Sequence, residues 1–247
     1  MACAVTMPAP ALDLCPQTEV HNSLEVIDEL YNYTHWIFST IRPFIRGSVC
    51  EIGCGIGAIT EFLLNQERVV AIEPHPEAFR RIQHRFADHR NVSFLPCSLQ
   101  QCPNEDVRSE GFDTVICLNV LEHLENDIDS LHRMRRLCRD KGQVVVLVPA
   151  HMSIYGEMDR SFGHYRRYNR RTLSRAFAQA GLEVADTFYM NAVGYFGWLW
   201  EGRIMRRRRI SASRARVFDR LVPIVDAIER IIKPPFGQSL VMVGTRG

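Results

Sequence analysis

Ser48-Val-Cys-Glu-Ile-Gly-Cys-Gly-Ile-Gly-Ala58 is the stretch that decides the fold. A short apolar run, Ser48 to Ile52, meets three glycines at 53, 55 and 57. That pattern reads as a strand running into a tight turn, because glycine accepts positive φ and lets a ligand approach the backbone closely. A helix is expected next, over about Ala58 to Asn65. A second apolar run, Val69 to Ile72, closes on Glu73-Pro74. Glu73 stands twenty residues after Gly53. A carboxylate there can accept both hydroxyl hydrogens of a ribose. The spacing predicts a nucleoside-binding βαβ unit. A glycine turn that only packs a helix on a sheet is the plainer alternative.

Working outward, the alternation continues. Pro76 suits the first turn of a helix reaching about Ala87, and Val92 to Leu95 is a third strand. Phe112 to Leu118 is a fourth, apolar throughout like a strand covered on both faces. A helix over Asp127 to Cys138, broken by Gly142, precedes a fifth strand at Val144 to Val148. A further helix, Thr172 to Ala180, stops at Gly181 before strands at Leu182 to Tyr189 and Leu240 to Val243. Upstream, Leu24, Ile27, Leu30, Tyr31 and Thr34 recur at helical spacing within 19–45, and Pro43 ends that run. The expected fold is therefore α/β: a doubly wound, seven-stranded, mostly parallel sheet with right-handed crossovers. Residues 1–18 are expected to be a disordered leader, and 19–247 one domain. Segments 19–45 and 191–238 are expected to form a helical cap, since insertions at the ligand edge of such sheets commonly cover a substrate.

Composition narrows the function. With 46% hydrophobic residues in 247, the chain has the apolar material for one sizeable core. A net charge of +2 argues against wholesale polyanion binding, and no nucleic-acid partner is expected. The eight cysteines form no CxxC and the nine histidines are scattered, so no metal site is expected. Cys50, Cys54 and Cys117 lie in or beside apolar runs, as buried thiols of a reducing cytoplasm do. Met1 to Pro16 lacks a basic segment and is broken by prolines, unlike a signal peptide, and no apolar run reaches bilayer length.

The choice of nucleoside turns on Glu51. Gly53 to Ala58 also satisfies G-x-G-x-x-A, so a nicotinamide dinucleotide and an oxidoreductase compete. Glu51, two residues before the first glycine, suits a cationic ligand better than a pyrophosphate. Glu51-Ile-Gly-Cys-Gly-Ile-Gly57 resembles the first motif of class I S-adenosylmethionine-dependent methyltransferases. Phe112-Asp-Thr-Val-Ile-Cys-Leu-Asn-Val-Leu-Glu-His123 resembles their fourth-strand motif, and Lys141-Gly-Gln-Val-Val-Val-Leu-Val-Pro149 their fifth strand. The resemblance covers about 45–190. It implies S-adenosylmethionine as cofactor, with Glu51, Gly53, Cys54, Gly55 and Gly57 around its methionine part. By the same resemblance Glu73 holds the ribose, and Asn119 and Val120 lie near the methionine or adenine. Ser98 stands where the family usually has Asp for the adenine amino group. A non-catalytic nucleoside-binding protein of the same fold is a further alternative.

Methyl transfer to oxygen is an in-line displacement that needs alignment and dryness, and a base only where the acceptor has a proton to lose. Candidate groups sit beyond the carboxyl ends of the strands. His164 and His123 are the catalytic candidates. His151, Tyr155, Tyr165, Arg166 and Arg167 are acceptor-binding candidates in the loop after the fifth strand, the arginines as a clamp for a carboxylate or phosphate. Tyr31 and Trp198 would add to the acceptor site from the cap segments. The run Gly194 to Arg209 sets aromatics beside arginines, as in a lid over an apolar pocket or a peripheral contact with the inner face of a membrane. The function expected is methylation of a small, hydrophobic acceptor at a carboxylate or hydroxyl.

Overall fold

The computed structural model describes residues 30–102 and 111–247. The leader expected at 1–18 and the first part of the 19–45 helix lie outside the described residues. What is described begins with α1 (Tyr31–Ile41), followed by β1 (Ser48–Ile52), β2 (Arg68–Ile72), α2 (Pro76–Arg85), β3 (Val92–Leu95) and β4 (Phe112–Leu118). The second half contains α3 (Asp127–Leu137), β5 (Cys138–Pro149), α4 (Glu157–Ser161), α5 (Arg170–Gln179), β6 (Leu182–Met190), α6 (Ala192–Trp198), a π turn (Leu199–Ile204), α7 (Ala212–Ile231) and β7 (Ser239–Arg246).

Seven strands form one sheet in the order β3-β2-β1-β4-β5-β7-β6. The first five are parallel to their neighbours, and β7 runs antiparallel to both β5 and β6. β1 lies beside β4, where the strand order reverses, so the ligand crevice falls at the carboxyl ends of these two strands. β4 and β5 are buried over nearly their whole apolar stretches because helices cover both sheet faces. Phe112 and Phe177 are fully buried in the core on one face, while Trp36, Ile41 and Val222 pack on the other. Each such ring or aliphatic side chain contributes about 1.5–3 kcal/mol by leaving water.

Two expectations change. Ala58 to Asn65 is not an α-helix; only a 3-10 turn over Thr60–Leu63 forms. Thr60 Oγ1 is drawn to Glu51 Oε2 at 2.6 Å, and Asn91 Nδ2 closes the segment by donating to the Leu64 and Gln66 carbonyls at 2.8 and 2.9 Å. β5 starts six residues earlier than Val144, because Cys138 already pairs with Phe112 across a register shift.

Candidate active site

The glycine loop takes its shape from three positive φ angles, 71° at Gly53, 57° at Gly55 and 89° at Gly57. A Cβ on Gly53 would fall 2.5 Å from Val120 Cγ2, so the ends of β1 and β4 touch here and only glycine fits. Cys54 is buried beside it as a free thiol. Glu73 bridges the loop: Oε2 accepts from the Gly55 N–H at 2.8 Å and Oε1 from the His75 N–H at 2.8 Å. Each oxygen keeps a lone pair, so the carboxylate can still receive ribose hydroxyls. Asn119 ends β4 with φ of 54°, a conformation asparagine tolerates, and is exposed at the crevice. Ser98 is half-buried after β3, its hydroxyl bonded to Gln101 Oε1 at 3.2 Å.

Glu51 is 4% exposed. Burial, with Glu73 as a neighbouring negative charge, pushes its carboxyl up to about 7, although the Thr60 hydroxyl opposes the shift. Glu73 is raised as well, mainly by burial. Two buried carboxyls beside the glycine loop favour a cation that would relieve both. The amino acid end of S-adenosylmethionine carries such a charge, and a pyrophosphate carries the wrong one.

The second half of the site is built around Asp159, which sequence reading did not single out. Its carboxylate is fully buried and accepts four hydrogen bonds. Oδ1 receives His164 Nδ1 at 2.9 Å and Arg167 Nε at 2.7 Å; Oδ2 receives Trp198 Nε1 at 3.0 Å and the Gly156 N–H at 2.9 Å. Burial alone would raise its pKa, but the bonds from His164 and Trp198 and the charge of Arg167 hold it below the ordinary value. An ionised carboxylate only accepts, so the proton in this bond sits on His164 Nδ1. The His123 and His164 rings meet edge to face with centroids 4.7 Å apart. Burial, and then His164, pushes His123 down to about 3, so its ring is neutral.

Arg167 corrects the clamp expectation. Its side chain is fully buried, pairs with Asp159, donates Nη1 to the Ala150 carbonyl at 3.0 Å and lies 4.7 Å from the Trp198 ring centroid. It braces the loop from behind. Arg166 is also engaged, with the Glu125 carbonyl at 2.6 Å and with Asp127 at 3.2 Å. Tyr155 donates its hydroxyl to the His164 carbonyl at 2.7 Å, and the Tyr165 N–H bonds the Glu122 carbonyl while the Tyr165 ring stays exposed. His151 adopts φ of 64° and stacks on Tyr189 with centroids 4.9 Å apart. Tyr31 lies apart from this network, packed on His35 and Phe62 near the 3-10 turn.

Glu122 was missed by sequence reading. It is 1% exposed, Oε2 has no partner, and burial pushes its carboxyl up to about 7. Its position immediately before His123 at a strand end was the available signal. Ligating atoms of Glu122, His123 and His164 lie within 4.8 Å of one another, a spacing that could hold a metal ion. The neighbouring His164 and Arg167 oppose the upward shift of Glu122 without cancelling it.

The sheet order is that of a Rossmann-like α/β fold, with the glycine loop and the paired carboxyls at its switch point. Residues 50–144 match the family model described as a methyltransferase domain. Over that stretch the chain is similar to methyltransferase domains. Among curated proteins, the tRNA U34 carboxymethyltransferases of Shewanella pealeana and Shewanella denitrificans are 30% and 32% identical over 111 residues. Each match takes in 43% of this chain and 32% of the relative, so the chain aligns with about a third of their length. Among solved structures, the Haloferax volcanii putative methyltransferase in complex with the Trm112 activator has a TM-score of 0.63 at 17% identity, over 93% of this chain and 96% of that one. The N-methyltransferase NodS of Bradyrhizobium japonicum, bound to S-adenosylhomocysteine, has a TM-score of 0.57 at 16% identity, over 92% and 98%. These likenesses establish the shared fold.

Proposed function

We propose that the protein transfers a methyl group to an oxygen of a small, largely apolar acceptor held beyond β4 and β5 under the 150–168 loop. The cofactor, when bound, supplies an electrophilic methyl on a sulfonium. Glu51 and Glu73 hold its charged and ribose ends, and the glycine loop shapes its seat. His164 takes the acceptor's hydroxyl proton at Nε2, while Asp159 fixes the tautomer and ring plane and stabilises the imidazolium that forms. Trp198 covers the network from the lid side. The observation that carries this reading is the fourfold-bonded Asp159, which orients one imidazole at the ligand edge of the sheet.

The carboxymethyltransferase relatives favour a second reading, with a tRNA as acceptor. One experiment separates the two. The protein is incubated with methyl-labelled S-adenosylmethionine and a cell extract, and label is followed into organic-soluble, water-soluble and RNA fractions. Label in the organic fraction, lost in His164→Asn while S-adenosylhomocysteine still binds, supports the first reading. Label confined to RNA replaces it with the second.

A further inference from the structure

α7 presents an apolar stripe that nothing in the described structure covers. Val217, Leu221, Ile224, Ile228 and Ile231 are 59%, 49%, 60%, 53% and 84% exposed. At about 100° per residue they fall within a sector roughly 80° wide. The stripe repeats at alternating spacings of four and three residues along the 20-residue helix. The opposite face is occupied: Val222 is buried, and Asp219 accepts from Asn32 Nδ2 at 3.0 Å and from the Tyr33 N–H at 2.8 Å. The exposed stripe is therefore no by-product of a loosely held helix.

The approach to α7 is strongly basic. Eight arginines stand between 203 and 220, against one acid, the buried Asp219. Phe196, Trp200, Ile204 and Met205 are also about half exposed or more. The Glu201–Arg214 ion pair at 2.9 Å ties the π turn that carries Trp200 and Ile204 to the first turn of α7.

We propose that α7 and the preceding π turn dock on an anionic lipid surface, with the aliphatic stripe at acyl depth and the arginines among the headgroups. A long, narrow apolar sector bordered by arginine is the form of a helix lying in a membrane interface. Among the described residues no helix is long and apolar enough to cross a membrane. Charge complementarity selects this occupant. A second copy would meet the arginines with arginines, and the acids of α7 are engaged: Asp226 with Arg230, Glu229 with the N–H groups of Asn191 and Ala192. A nucleic acid would answer the arginines but give the aliphatic stripe no counterpart. The surface reaches beyond the methyl-transfer reading and is tested without acceptor or cofactor, so either can fail alone.

The experiment is flotation of the full chain with phosphatidylcholine vesicles, with and without phosphatidylglycerol. Binding is expected only to the anionic vesicles and should fall with added salt. The double variant I224E/I228E should lose it. Each neutralised arginine among Arg206 to Arg209 should weaken it about fivefold, the equivalent of about 1 kcal/mol per charge near such a surface. Circular dichroism spectra and melting temperatures unchanged from wild type show that the variants are folded. Failure of the wild-type chain to float overturns the proposal. So does a dimer in solution that I224E/I228E converts to monomer, since the stripe then belongs to a second copy.

Discussion

Asp159 and His164 lie five residues apart in one loop, and their 2.9 Å hydrogen bond is embedded in a carboxylate with no acceptor site left over. Removing its charge should therefore have two separable effects. Asp159→Asn strips a buried arginine of its counter-ion and places an amide where only an acceptor fits. Breaking such a pair costs about 3–5 kcal/mol, and a melting curve should fall by at least about 6 °C. Methyl transfer should fall further than stability explains, by about a hundredfold or more at a temperature where the variant is folded. A variant as stable as wild type would show that Arg167 does not depend on Asp159.

His164→Asn separates chemistry from binding. Nothing in the glycine cradle touches His164, so S-adenosylhomocysteine affinity should be unchanged. Turnover of a hydroxyl acceptor should drop by about 10²–10⁴. An acceptor that is already a carboxylate would lose little, so the size of the fall also reports the acceptor atom.

Cofactor affinity should depend on pH through Glu51. Its carboxyl stands at about 7 in the free protein, so below that pH a proton must leave before the ammonium group can pair. Between pH 7.5 and 6, calorimetric affinity for S-adenosylhomocysteine should weaken by roughly tenfold. The stability sign agrees. A carboxyl raised above its unfolded value favours folding at low pH and loses that contribution as pH rises through 7, so the melting shift given by the ligand should grow with pH. Glu51→Gln should flatten the pH profile and weaken binding by about tenfold or more. A profile that is already flat in the wild type would remove Glu51 from the cofactor site.

Gly156 tests the lid. Its φ of −147° suits any residue, so the need for glycine is one of space: a Cβ would come within 2.3 Å of the Gly202 carbonyl oxygen in the π turn. Gly156→Ala should cost about 1–3 kcal/mol by overpacking. It should raise the acceptor KM with cofactor affinity unchanged. Loss of cofactor affinity instead would show that the lid and the cradle are coupled.

The geometry of the glycine loop was legible because its signals are local. Gly53, Gly55 and Gly57 need positive φ, and Glu51 and Glu73 stand at strand ends that the apolar runs mark by themselves. The 150–168 loop was legible as a set of candidate names but not as a network. His164, Arg167 and Trp198 were all singled out, yet their common partner Asp159 gains its meaning from contacts made across a folded loop and from a tryptophan 39 residues away. Arg167 misled because exposure is not written in sequence, and two adjacent arginines read alike until one is buried. The 3-10 turn at Thr60–Leu63 was missed for a related reason: its geometry is set by Glu51 and Asn91 from outside the segment.

Ala150 and Tyr168 form a parallel bridge, and the Tyr168 N–H and carbonyl bond Pro149 and His151. The two ends of the 150–168 segment are thus stapled together at the mouth of the sheet. A loop closed at its own neck can change length or sequence without moving β4 or β5. On the acceptor reading proposed above, the segment is an exchangeable cassette: it can drift over evolutionary time, or be swapped by grafting, while the glycine loop between β1 and β2 stays as it is.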